Sequence, residues 1–173
     1  MRHFIIFLGF ILIWTSYSFS QQVDDKKSFD DLKLLRLKVI KDSVVGKKYY
    51  YDFTKEVNCN KTCISYLGQI KTDKNKIYKI LTCFYVHGQS CRGTSRMVIY
   101  NLKNEYIGNY YMSMPNDLPD TIINNNLVYS KANLECKFRK GTKISFKNGL
   151  PETIFIPCDK ANNGDLYSFS NNE

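Results

Sequence analysis

The stretch Ile77–Met114, IYKILTCFYVHGQSCRGTSRMVIYNLKNEYIGNYYMSM, decides the fold class. Ile77–Val86 is a long apolar and aromatic run whose two faces are both largely apolar, as befits a central strand covered on each side. Arg96–Asn101 and Glu105–Met114 are two more β-patterned runs, and Leu102-Lys103-Asn104 between them predicts a hairpin. The same stretch carries Cys83, Cys91, two closely spaced arginines and a histidine.

On its N-terminal side the β pattern continues. Lys47–Thr54 carries Tyr49, Tyr50, Tyr51 and Phe53, and Ile64–Lys71 reads as a strand holding Gly68, with a polar loop containing Cys59 and Cys63 between them. Thr72–Lys76 is a turn. Residues 33–41 admit two readings. Ser28 followed by Asp31 suits a capping-box helix start, with Leu32, Leu35 and Val39 on one face. Leu35-Arg36-Leu37-Lys38-Val39 alternates with period two, and the β-branched Val39 and Ile40 close it. The alternation favours a strand over 33–41, with room for a helical turn before it.

On the C-terminal side, Pro115 and Pro119 exclude a regular strand or helix interior. Ile122-Ile123 and Leu127–Ser130 flank a turn at Asn124–Asn126. Leu134, Cys136 and Phe138 alternate with polar residues, which predicts a strand over 134–138 with Cys136 inward. Ile144 and Phe146 predict another over 143–147. Asn148-Gly149 then signals a tight hairpin, with Glu152–Pro157 as the returning strand. The tail from Asn162 is polar apart from Leu166, Tyr167 and Phe169, and is either a last edge strand or a frayed end. Short apolar runs divided by turns define an all-β chain, an antiparallel meander forming a small sandwich or open barrel. One short N-terminal helix is compatible with it, and α+β is the alternative class.

Residues 1–20 have a basic start at Arg2, an apolar run from Phe4 to Trp14, and small residues at Ser18 and Ser20. That is the pattern of a secretory signal peptide cut before Gln21. The apolar run is shorter than the ~20 residues of a spanning helix, so no transmembrane helix is expected after cleavage. Secretion or a periplasmic location follows. The organisation is then a signal peptide at 1–20, a mobile polar segment at 21–31, one β-rich domain at 32–161 and a polar tail at 162–173.

All six cysteines (Cys59, Cys63, Cys83, Cys91, Cys136, Cys158) follow the leader, and an even count behind an export signal points to disulfides. Cys83–Cys91 is the most natural pair, closing the loop around His87, and Cys59–Cys63 would close a tight local one. If 134–138, 143–147 and 152–157 were consecutive strands, the outer two would stand about 9.6 Å apart. A Cys136–Cys158 bridge is disfavoured on that spacing, since the Cα limit is about 7 Å. Cys59-x-x-x-Cys63 has tolerable zinc spacing but lacks a second knuckle, so no metal is expected.

Catalytic motifs are scarce. His87 is the only histidine after the leader, which removes the two-histidine zinc sites. Gly88-Gln89-Ser90-Cys91-Arg92-Gly93 is one residue too long for a nucleophile elbow and has no helical pattern after it. A Cys91 thiolate beside His87 competes with disulfide formation in an oxidising compartment. No phosphate-binding glycine loop or other cofactor motif is present, and no cofactor is expected. Asn60-Lys61-Thr62 is an N-glycosylation sequon, relevant in a eukaryotic host.

The formal net charge is +9, of which the leader carries only Arg2, but the lysines are scattered rather than clustered. His87, Arg92 and Arg96 are the candidate binding residues, because arginine's planar fork suits a carboxylate, phosphate or sulfate. The neighbouring glycines would let a ligand approach the backbone. The expected function is a non-catalytic exported domain with a binding or structural role. Its partner would be an anionic ligand, a glycan or another exported protein. The alternatives are a secreted hydrolase using carboxylates with His87, Arg92 or Arg96, and a basic polyanion-binding protein.

Overall fold

The computed structural model describes residues 31–130, 136–161 and 163–172. The expected leader and nearly all of the segment 21–31 lie outside the described residues, as do Ser28 and Leu134. Val39–Glu173 form one compact unit, and the described part of the preceding segment, residues 31–38, is helical.

Residues 31–42 form a helix, α1, where the alternating pattern favoured a strand. Six of the residues from Leu32 to Lys38 are leucine or lysine and the seventh is Arg36, all good helix formers with no Gly or Pro among them. Leu32, Leu35 and Val39 recur at helical spacing, and the period-two run through Leu37 is only a subset of that pattern. Ser43 ends the helix. It takes a left-handed φ of 52°, its N–H donates to the Val39 carbonyl at 3.1 Å, and its hydroxyl donates to the Ile40 carbonyl at 2.5 Å.

The rest is antiparallel β. The strands are β1 (Lys48–Asp52), β2 (Cys59–Lys71), β3 (Ile77–Gly88), β4 (Arg92–Asn101), β5 (Tyr106–Ser113), β6 (Thr121–Ile123), β7 (Asn126–Val128), β8 (Lys143–Ser145), β9 (Thr153–Pro157) and β10 (Gly164–Ser170). Seven make one sheet in the order β1-β2-β3-β4-β5-β10-β9, and β6-β7-β8 make a second. β1 and β9 are the two edges of the large sheet, which therefore does not close into a barrel.

The main core gathers Ile80, Met97, Ile99, Tyr110 and Met112 from one face of the large sheet. Leu127, Tyr129 and Phe146 come to it from and beside the small sheet, and Ile154, Ile156 and Tyr167 from β9 and β10. Burying an aliphatic or aromatic side chain of this size is worth about 1.5–3 kcal/mol. The opposite face of the sheet is also shielded from water. Ile64, Leu81, Cys83 and Val98 are buried there, and Val39 and Ile40 in the last turn of α1 are buried as well. β3 is thus apolar on both sides, as its sequence requires.

Two departures from strand regularity fit the core. The β2–β3 register shifts between Tyr66 and Gly68, where Gly68 has φ 126°, and the extra residue, Leu67, joins the core. Asn124 and Asn125, with φ 49° and 63°, form the tight turn between β6 and β7.

The C-terminal third differs most from the sequence reading. Asn148-Gly149 does not turn β8 back on itself, because β9 pairs with β10 instead. The chain leaves β8 after Ser145, which sends Phe146 into the core with no exposure, and Leu150 packs against the same core. Burial of these two side chains overrides the local turn preference. Lys137–Arg139 is a short 3-10 turn and not part of a strand; Cys136 is buried as expected, but Phe138 is exposed. Cys59 and Cys63 lie within β2 and not in a loop.

Candidate functional site

The β3–β4 hairpin positions the candidate residues. β3 runs on to Gly88 and β4 starts at Arg92, so His87, Arg92 and Arg96 stand on strands and not on a loop. Antiparallel pairing places directly opposite residues on the same face of a sheet. The register Asn60↔His87↔Arg92 makes one row across β2, β3 and β4. Thr62↔Tyr85↔Thr94 makes the next, and Ile64↔Cys83↔Arg96↔Tyr111 the third. All three candidates therefore share one face. His87 and Arg92 are exposed neighbours, and Arg96 is half-buried four residues further on, about 13 Å along the strand.

Arg96 is held in place. Its Nη1 donates to Asn109 Oδ1 at 3.4 Å and its guanidinium lies 5.8 Å from the Tyr111 ring centre. Buried Asn109 is itself fixed, its amide donating to the Tyr106 hydroxyl at 2.7 Å and to the Asn172 carbonyl at 2.8 Å. None of these three rows contains a carboxylate. The glycines have a local explanation. A Cβ on Gly93 would meet the Phe84 ring at 2.8 Å, so Gly93 makes room for that ring, and Gly88, with φ 74°, turns the hairpin.

The disulfides correct the expected pairings. Cys59 bonds Cys91 and Cys136 bonds Cys158. The first ties the start of β2 to the tip of the β3–β4 hairpin, beside the His87–Arg92 row. Cys83–Cys91 is impossible because Cys83 is buried in the middle of β3, five residues and about 16 Å before the hairpin turn. Cys59 and Cys63 are four residues apart on one extended strand, which excludes their pairing as well. Cys136–Cys158 forms because residues 136–139 and β9 are not the outer strands of one meander. Their Cα atoms are 4.2 Å apart, and the Phe138 N–H bonds the Cys158 carbonyl. Cys63 and Cys83 take part in neither bond. With its sulfur bonded, Cys91 is not a nucleophile for His87 to activate.

A second polar cluster had no sequence signal. Arg139, with a side chain only 3 % exposed, bridges Asp117 and Asp165, the latter at 2.9 Å, and donates to the Asn116 carbonyl at 2.7 Å. Burial opposes its charge, but the hydrogen bond and charge of Asp117 outweigh this and raise its pKa. Tyr129 and Tyr167 are buried nearby, and desolvation pushes both phenols well above their usual range. The four residues Lys137-Phe138-Arg139-Lys140 look like a solvated basic run, and nothing local marks Arg139 as the one turned inward. Its partners lie in the Pro115–Asp117 turn and β10, so the cluster fastens two turns to a strand of the large sheet.

Among the described residues no group of three or more His, Cys, Asp or Glu side chains is gathered as a metal site would need. No helix among them is long and apolar enough to cross a membrane. Two disulfides point to an oxidising environment. Comparison of the chain with protein-family models, with curated proteins and with solved structures finds no match.

Proposed function

We propose that this chain is an exported β-domain that binds an extended anionic ligand, such as an acidic glycan, without chemically altering it. The single observation that carries this reading is the register that sets His87 beside Arg92 and places Arg96 on the same face. Arg92 and Arg96 are rooted about 13 Å apart along β4, a spacing that extends beyond a single carboxylate or sulfate. They suit two such groups on one chain. Between them half-buried Thr94 offers a hydroxyl to the intervening unit, and half-exposed Tyr111 flanks Arg96. Export is supported by the leader pattern of residues 1–20, with a cut before Gln21, and agrees with the two disulfides.

The test is binding to heparin as an anionic polysaccharide, at fixed salt, by the exported chain and by an Arg92→Ala/Arg96→Ala variant. The expected result is at least a tenfold loss of affinity, the loss of two charge-assisted contacts. A control with Lys74→Ala and Lys103→Ala, exposed in turns at the other end of the same strands, should lose far less. Equal losses would mean that general basic charge does the binding, and an unaffected arginine variant would sink the proposal.

A further inference from the structure

The edge of the large sheet formed by β1 carries opposite charges at its two ends. Among the described residues β1, Lys48-Tyr49-Tyr50-Tyr51-Asp52, is hydrogen-bonded to β2 on one side only. The Phe53 N–H bonds the Asn60 carbonyl at 2.7 Å, and Phe53 and Asn60 continue the β1–β2 register. Hydrogen-bonded pairs alternate along an antiparallel ladder, so Tyr49 and Tyr51 also turn their backbone groups toward β2. Lys48, Tyr50 and Asp52 therefore direct their N–H and C=O groups outward, away from the sheet. Tyr50 is 72 % exposed, and Val45, Phe53 and Val57 are exposed close to it in sequence.

We propose that the partner of this edge is a second copy of the chain, joined by antiparallel β1–β1 pairing about a two-fold axis through Tyr50. In that register Lys48 stands opposite Asp52 of the other copy at both ends, Tyr49 stands opposite Tyr51, and Tyr50 meets its own counterpart. Charge and backbone parity agree on this one alignment. It pairs the three outward-directed residues with each other and brings opposite charges together twice. A shift by one residue would set an outward-directed residue against an inward-directed one. A shift by two would oppose Tyr50 to Lys48 or Asp52 and lose both charge pairs. The two large sheets would continue into one, with the His87–Arg92 rows of both copies on the same side.

The experiment is sedimentation equilibrium of the full chain in oxidising buffer at concentrations up to about 0.1 mM. A dimer is expected. Tyr50→Pro removes an N–H that β2 does not use, and should weaken dimerisation at least tenfold while leaving the folded circular-dichroism spectrum intact. Lys48→Asp and Asp52→Lys should each weaken the homodimer by placing like charges opposite. Mixed in equal amounts, the two variants should form a heterodimer, because the mixture restores both charge pairs. A wild-type chain monomeric throughout, a dimer indifferent to Tyr50→Pro, or a mixture no more associated than its components would each overturn the proposal.

Discussion

Arg139 shows what a single side chain contributes. Its guanidinium has left water almost completely, and its stability depends on Asp117, whose side chain is 13 % exposed, more than on half-exposed Asp165. Removing one member of a buried pair strands the other, at a cost of about 3–5 kcal/mol. Arg139→Met, which keeps most of the volume, is therefore expected to lower unfolding free energy by about 3 kcal/mol in urea titrations. Asp165→Asn, at a site that water still reaches, should cost less than about 1 kcal/mol. Adding Asp117→Asn to Arg139→Met should recover part of the loss, since no buried charge then remains alone. Equal effects of Arg139→Met and Asp165→Asn would show that the cluster is solvated.

Among the elements, β5 and β10 approach closely, and a glycine makes the approach possible. A Cβ on Gly108 would lie 2.3 Å from the Phe169 ring and 2.6 Å from the Ser170 carbonyl oxygen. The Phe169 ring packs against Tyr110, 5.2 Å between centres, and the carbonyl belongs to the strand itself and cannot give way as a side chain would. Gly108→Ala should cost about 1–3 kcal/mol, the usual range for overpacking. The loss should appear as faster amide exchange in β9 and β10, with β2 and β3 unchanged. The β3–β4 hairpin is secured differently, by the Cys59–Cys91 bond at its tip. Loop-closure entropy for a separation of 32 residues corresponds to about 3–4 kcal/mol of destabilisation of the unfolded chain. That fixes the backbone beneath His87 and Arg92 independently of the core.

For the whole molecule several phenols are buried in the core. Tyr110, Tyr129 and Tyr167 are all buried, and desolvation is the largest cause of a raised pKa in each. A folded-state pKa above the unfolded value of 10.0 favours the protonated native form, so the contribution is fully present below pH 10. It is lost as pH rises from there toward the folded-state values. Stability should therefore be insensitive to these groups at neutral pH and fall above pH 10. The expected slope is about 1.4 kcal/mol per pH unit for each phenol that ionises only on unfolding. Urea titrations across the alkaline range, repeated with Tyr129→Phe, check this. The variant should fall less steeply, and identical slopes would count against Tyr129 as a contributor.

The sequence by itself was enough for what depends on neighbours along the chain. The apolar faces of Ile77–Val86, the turns at Thr72–Lys76 and Leu102–Asn104, and the proline break at Pro115 and Pro119 each specify their own structure. The meander from β1 to β5 follows from them, but the row that holds His87 and Arg92 does not, because the sequence pattern ends one strand at Val86 and begins the next at Arg96. Tertiary structure decided whatever has two local solutions. Residues 33–41 carry both a period of two and one of 3.6, and the helix wins because its good helix formers run uninterrupted into the buried Val39 and Ile40. Asn148-Gly149 offers a turn, but burying Phe146 and pairing β9 with β10 releases more free energy than a two-strand hairpin. The disulfides and Arg139 depend on which distant segments come together, and only the assembled sheets determine that.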